Sequence, residues 1–460
     1  MRVTSPSPSL SMPNVRPVIR QQATQSFGIS GKASSSLMPR LMMSDYWFLA
    51  GLMLALIYIA DPFMLRLDKL GPTKHLPLII SLFGVVLANM GNWLFRPINR
   101  VPLKPWQVLG SGLPLIFLAL WIVFGSIFAR NYYGTNNTFV IVGLYMLFTF
   151  LAARVVMLSP ARARIVRAYL LAAAAAGVFM VVRMAVSYGN QEVSYHEMEA
   201  LVIPLAAYFA LRPMRNRHWQ AFLILFFLAA GLVFRKNTGF LVLVMTLLYI
   251  WIAEWRFRFR ESATFRFWAL LWLMLMFMVG IAAAGYFAHQ RGELMPSGNP
   301  QYRMLTYEVA WNKFLDSPIW GTGFTKPATE KFTAYAINAA KGVLPTHSDI
   351  LDLAAQGGVI ALFLWLWGYL RITTISIHAL KGARPRDDTR AAAHALACMS
   401  LTSIIVYAFN PILLQPAKAL LVWSQFGMLL GVALYLANNP STPTSSSTTM
   451  ETNMPTTRVK

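Results

Sequence analysis

Four cations, one imidazole and a few carboxylates stand out in a chain that is otherwise apolar. His347 lies in Pro345-Thr346-His347-Ser348-Asp349, just ahead of an apolar run. An imidazole titrates near neutral pH and can take a proton from a sugar hydroxyl. Asp349 or Asp352 can orient it, and both suit the positive end of a helix beginning there, with Thr346 or Ser348 as cap. On the plainer reading the stretch is a helix start and nothing more. Arg303 lies in the long polar segment 289–349, four residues before Tyr307 and so on the same side of a helix. Its plainer role is a salt bridge to Glu308 or to solvent. Arg235 and Lys236 sit between two apolar runs with almost no loop, where they can meet a phosphate or reach lipid headgroups. Arg183 closes one apolar run, and His196, Glu197 and Glu199 open the next. The plainer reading there is salt bridging between helix ends, and no metal-ligand spacing is recognisable.

Several cations with one candidate base suit a diphosphate leaving group and a hydroxyl nucleophile. The segment Trp320-Gly321-Thr322-Gly323-Phe324 predicts a tight turn whose glycines let the backbone approach something closely. The chain has no Walker motif, no HExxH and no GxSxG. A site on the outer membrane face has no ATP supply, so a pre-activated lipid diphosphate is the expected donor. No cofactor and no metal are expected.

The elements that position these groups are membrane helices. Of 460 residues, 57% are hydrophobic and 12% charged, about half the charged share of a soluble domain. Apolar runs of about 20 residues recur, which predicts an all-α polytopic membrane protein rather than a β-barrel. The twelve runs are 46–66, 76–96, 107–129, 138–158, 166–187, 195–211, 218–234, 238–254, 267–288, 350–370, 394–413 and 419–437. The tails 1–45 and 438–460, rich in Ser, Pro and Thr, read as disordered and cytoplasmic. The helical domain is expected over 46–437, with 289–349 inserted as a periplasmic loop. Within that loop a helix is expected over 301–314, with Tyr302, Leu305, Val309 and Phe314 as its apolar face and Arg303, Tyr307 and Glu308 off it. With the N-terminus inside, roughly two-thirds of the 40 Lys and Arg residues fall in cytoplasmic loops and tails. The net charge of +23 therefore reflects topology, and no nucleic-acid partner is expected. The single cysteine, Cys398, excludes an intrachain disulfide. A transporter, the third alternative, would need ionisable groups along a mid-membrane path; Asp61 lies within the first run, most other charges sit at helix ends, and no fixed-period repeat is present.

Arg303, followed by Trp311, Pro318, Gly321 and Gly323, then His347 with Ser348, then Leu351, Gly357 and Gly358, resembles the signature region of the O-antigen ligase/polymerase superfamily. These are bacterial inner-membrane glycosyltransferases of the C type, with about a dozen helices and one large periplasmic loop late in the chain. The resemblance implies metal-independent transfer of a glycan from undecaprenyl diphosphate to an acceptor hydroxyl. It implies that His347 activates the acceptor and that Arg303 and Arg235 hold the diphosphate; the residue types and positions themselves add Lys236, Arg183, Glu197, Glu199 and Asp349 as neighbouring substrate-binding candidates. Glu197 and Glu199 stand where relatives often have an Asn-Pro-Asn-like helix start. Ligases commonly have asparagine after the histidine; Ser348-Asp349 leans toward a polymerase, with a ligase for lipid A-core as the alternative. The expected partners are the lipid-linked glycan, the bilayer, and a chain-length regulator or export machinery.

Overall fold

The computed structural model describes residues 41–61, 71–95, 110, 112–133, 138–187, 198–212, 214–234, 237–258, 299–324, 348–380, 388–410, 412 and 415–438. Among these there is no strand. The helices are α1 (Met43–Ala60), α2 (Leu76–Phe95), α3 (Leu113–Tyr133), α4 (Thr138–Leu158), α5 (Arg162–Val186), α6 (Glu199–Val202), α7 (Leu205–Leu211), α8 (Arg217–Val233), α9 (Asn237–Arg258), α10 (Asn299–Asp316), α11 (Asp349–Leu380), α12 (Asp388–Phe409) and α13 (Pro416–Asn438).

Every expected apolar run except 267–288, which lies outside the described residues, overlaps helix where it is described. Among the described residues six helices are long and apolar enough to cross a membrane, and five shorter apolar helices accompany them. The protein is a polytopic helical membrane protein. The sixth run differs from expectation: it is two short helices, α6 and α7. Pro204 has no N–H to give, and Ala206 and Ala207 bond three residues back, to Ile203 and Pro204, so the chain tightens there. The first run also starts earlier than expected, at Met43, and Asp61 lies at the C-terminal end of α1 rather than within it.

The scaffold is centred on α13, 83% of whose apolar window is buried, against 22% for the peripheral α2. Its closest partner is α4. Gly427 and Gly431, one helical turn apart, lie against the Thr149 and Ala153 carbonyls, where an added Cβ would come within 2.3 and 2.5 Å. Helices in lipid gain little from the hydrophobic effect, so such small-residue contacts let backbones approach and gain dispersion energy instead.

The helix ends sort into two sets. At one end Asp388, opening α12, accepts from Arg212 Nε at 2.8 Å after α7 and pairs with Arg167 of α5 at 3.3 Å. Nearby in sequence, Arg162 stacks 3.5 Å over the Tyr435 ring of α13, and Ser159 donates to Asp45 at the start of α1. The opposite end therefore receives the C-termini of α1, α5 and α12 and the N-terminus of α6. It also receives the N-terminus of α11, because Asp349 Oδ2 accepts from Ile412 N–H at 2.7 Å, just past α12.

Candidate functional site

The polar segment between α10 and α11 meets the bundle at a break in α11. Gly358 has φ 65° and ψ −167°, a left-handed conformation that interrupts the helix. A break strands backbone groups that a helix would pair. The stretch from Pro318 to Phe324 supplies them. Val359 N–H donates to Pro318 O at 2.8 Å; Ala355 O accepts from Thr322 N at 3.0 Å and from Thr322 Oγ1 at 3.1 Å; Gln356 O accepts from Gly323 N at 2.9 Å. The expected close approach of the glycine turn is thus to the α11 backbone. A Cβ on Gly321, φ 73°, would fall 2.2 Å from the Gln356 carbonyl, and one on Gly358 2.2 Å from Ile319 O. Phe324 wedges between Gly125 of α3 and Gly357. Trp121 of α3 stacks on Trp320 with centroids 5.7 Å apart and donates to Gly357 O at 3.3 Å. This strap fastens the polar segment to the bundle.

The strap also sets the direction of α10. Its C-terminal end meets α11 near Val359, while Ala310 packs on Ala355 and Leu351. The two helices therefore run parallel, and at about 1.5 Å per residue Arg303 comes level with the start of α11. Both positive helix ends and one guanidinium are then on the same side of the molecule. The packed face of α10 is Thr306 and Ala310, both fully buried, flanked by Arg303 and Tyr307. This corrects the expected face: Arg303 and Tyr307 belong to the packed side, because α10 docks on the small side chains of α11. Burial pushes the Tyr307 phenol above its usual range, and the adjacent Arg303 opposes that shift. The exposed flank carries Trp311, Leu315, Ile319 and Trp320.

Of the other sequence candidates, Arg183 gives its guanidinium to the last carbonyls of α1, Asp61 O at 2.7 Å and Ala60 O at 3.3 Å. That is the position at which a cation stabilises a helix C-terminus. Glu199 is fully buried, with its Cγ beside Gly239 near the start of α9. Asp349 is buried and holds Ile412 N–H, and Asp352 is also buried. Arg183, Glu199 and Asp349 all lie at the bundle end that receives the α11 N-terminus. His347, Arg235, Lys236 and Glu197 lie outside the described residues; Ser348 and Asp349 begin immediately after His347. Two buried polar residues at this end were missed in sequence, Gln356 and Asn410. The available signal was an uncharged amide inside an apolar run, four residues after Asp352 in one case and next to Pro411 in the other.

Fold and site define a multi-pass membrane protein in which the described candidates Arg183, Glu199 and Asp349 share one end of a helical bundle, with α10 strapped to α11. Residues 221–366 match the family described as O-antigen ligase. That stretch contains Arg235, Lys236, Arg303, the strap, His347 and the α11 break, so the resemblance to the O-antigen ligase/polymerase superfamily is borne out over the part that carries the candidate site. No curated protein matches the chain.

Proposed function

We propose that the protein is a bacterial inner-membrane polysaccharide polymerase. It transfers a glycan from undecaprenyl diphosphate to a sugar hydroxyl of an acceptor at the periplasmic face, without metal or cofactor. His347 takes the proton of the acceptor hydroxyl as the oxygen attacks the anomeric carbon. The bond from that carbon to the diphosphate oxygen breaks, and undecaprenyl diphosphate leaves. Arg303, with Arg235 and Lys236, holds the diphosphate and offsets its growing charge. Glu197, Glu199 and Asp349 shape the surrounding polar surface, and Arg183 acts from the end of α1. The observation that carries this reading is the family match across 221–366, together with the parallel packing that brings Arg303 level with the helix His347 precedes.

One observation favours a second reading. The matched family is described as O-antigen ligase, and a ligase moving finished glycan onto lipid A-core uses the same donor head. Lipid-linked glycans from cells lacking the protein decide. Single unpolymerised units mean a polymerase, long free chains mean a ligase, and an unchanged lipid-linked pool overturns both.

A further inference from the structure

The first segment of α11, from Asp349 to Gly358, has no exposed residue. The exposed apolar row of that helix begins at Val359 and continues through Phe363, Leu366 and Leu370. Spacings of four, three and four residues put these on one side of a helix. The stretch of α11 long and apolar enough to cross a membrane is Asp349–Ile372, so that row faces acyl chains and the first segment lies at membrane level too. Leu351 and Ala355 precede Val359 by eight and four residues, and Ala310 of α10 packs on them. The outer surface that α11 gives up there is replaced by α10 and the strap. Trp311, Leu315 and Ile319, four residues apart, and Trp320 are each at least 51% exposed. Ile319 joins the two rows: its carbonyl lies against Gly358, and the neighbouring Pro318 carbonyl accepts from Val359 N–H at 2.8 Å.

Four large apolar side chains continuous with a lipid-facing row mark a membrane surface. Two of the four are tryptophans, the residue that settles at the membrane–water boundary. Glu308, Asn312 and Asp316, also exposed and four apart, form a polar row beside the apolar one. A helix with one flank of each kind lies at that boundary, its apolar side in the acyl layer and its polar side toward water. The backbone of the strap fits the same place. Non-helical chain survives at membrane depth only where protein pairs its polar groups, and the Thr322 and Gly323 N–H groups donate to α11 carbonyls. We propose that α10 and the strap form a re-entrant element whose Trp311–Leu315–Ile319 flank is seated among the acyl chains of the leaflet at the N-terminal end of α11. The occupant of the flank is the bilayer itself, and α10 is part of the membrane wall rather than a lid standing in the aqueous phase. The proposal uses no catalytic residue and stands apart from the transferase reading.

The test uses full-length protein in lipid nanodiscs. Cys398, the single cysteine, is buried, so wild type serves as the labelling blank. Trp311→Cys, Leu315→Cys, Ile319→Cys, Asn312→Cys and Phe363→Cys each receive a nitroxide label. Collision with oxygen, which concentrates among acyl chains, is compared with collision with a water-soluble nickel chelate. The oxygen-to-nickel ratio at 315 and 319 is expected to be several times that at 312 and to approach that at 363, with 311 between. A ratio at 315 and 319 no higher than at 312 puts the flank in water and overturns the proposal. Labels at those two sites shielded from both agents put protein against the flank and overturn it as well. The three flank positions are read independently, and melting temperature identifies the variants that keep the wild-type fold, so the loss of one leaves the others decisive.

Discussion

The α4–α13 interface and the α10–α11 junction are both built around glycines, for opposite purposes. Gly427 and Gly431 let two straight helices touch along their length. Gly321 and Gly358 take left-handed backbone so that a strap can enter a broken helix and replace its lost hydrogen bonds. The first contact is close-packed, with the Thr149 Oγ1 of α4 buried and unpartnered beside it. The second stands at the end of the bundle where Gln356 and Asn410 remain unpartnered. Unpartnered buried atoms occur in both regions, so it is the backbone geometry that separates them.

Substitutions can separate the two regions. The largest effect on chemistry is expected from His347→Ala: polymer is lost by about a hundredfold or more, the range of a general base, while the protein stays in the membrane. Gly431→Leu should do the reverse, removing protein from the membrane by prying α13 from α4; immunoblots and polymer gels of the same cells read both. Gly321→Ala meets left-handed strain and a backbone clash together, and should cost about 2 kcal/mol or more at the strap. Its readout is faster protease cleavage of the 289–349 segment with the rest of the bundle intact. Cleavage at the wild-type rate removes the strap from the account. Arg303→Lys replaces a bidentate fork by a point charge and should lower kcat/KM on lipid-linked glycan by about tenfold or more. Full activity makes Arg303 a packing residue of α10. The smallest effect on catalysis is expected from Arg183→Met. Its guanidinium serves the end of α1, so melting temperature should fall by a few degrees with kcat/KM retained. A kinetic defect without a stability change would return Arg183 to the substrate.

The membrane helices were legible because continuous apolar runs have one stable outcome in lipid. The breaks were not. Gly357-Gly358 inside an apolar run reads as uninterrupted helix, and its left-handed φ is imposed by a strap some 35 residues earlier in the chain, a tertiary effect without local periodicity. Pro204 was visible, yet whether a proline kinks or divides a helix depends on what repairs the backbone around it. At the site, Glu199 was legible as a charge at a helix end, Asp349 as a residue suited to a helix start, and Arg303 as a cation beside Tyr307 in the polar segment. The packed face of α10 was not, because Ala310 and Thr306 rank low as hydrophobic anchors and gain their place only against Ala355 and Leu351. Arg183 shows the converse: its charge was conspicuous, but the carbonyls it serves belong to a helix some 120 residues earlier in the chain.

The central claim, that α10 and the start of α11 present a base and a diphosphate-holding guanidinium to a lipid-linked glycan, is tested most directly by reconstitution. Purified wild-type protein and His347→Ala are given lipid-linked glycan in nanodiscs, and released undecaprenyl diphosphate and lengthened glycan are measured together. The account predicts that wild type forms both products in step and that His347→Ala, folded and melting like wild type, forms neither. Equal turnover by the two proteins, or no bond formed by wild type, contradicts it.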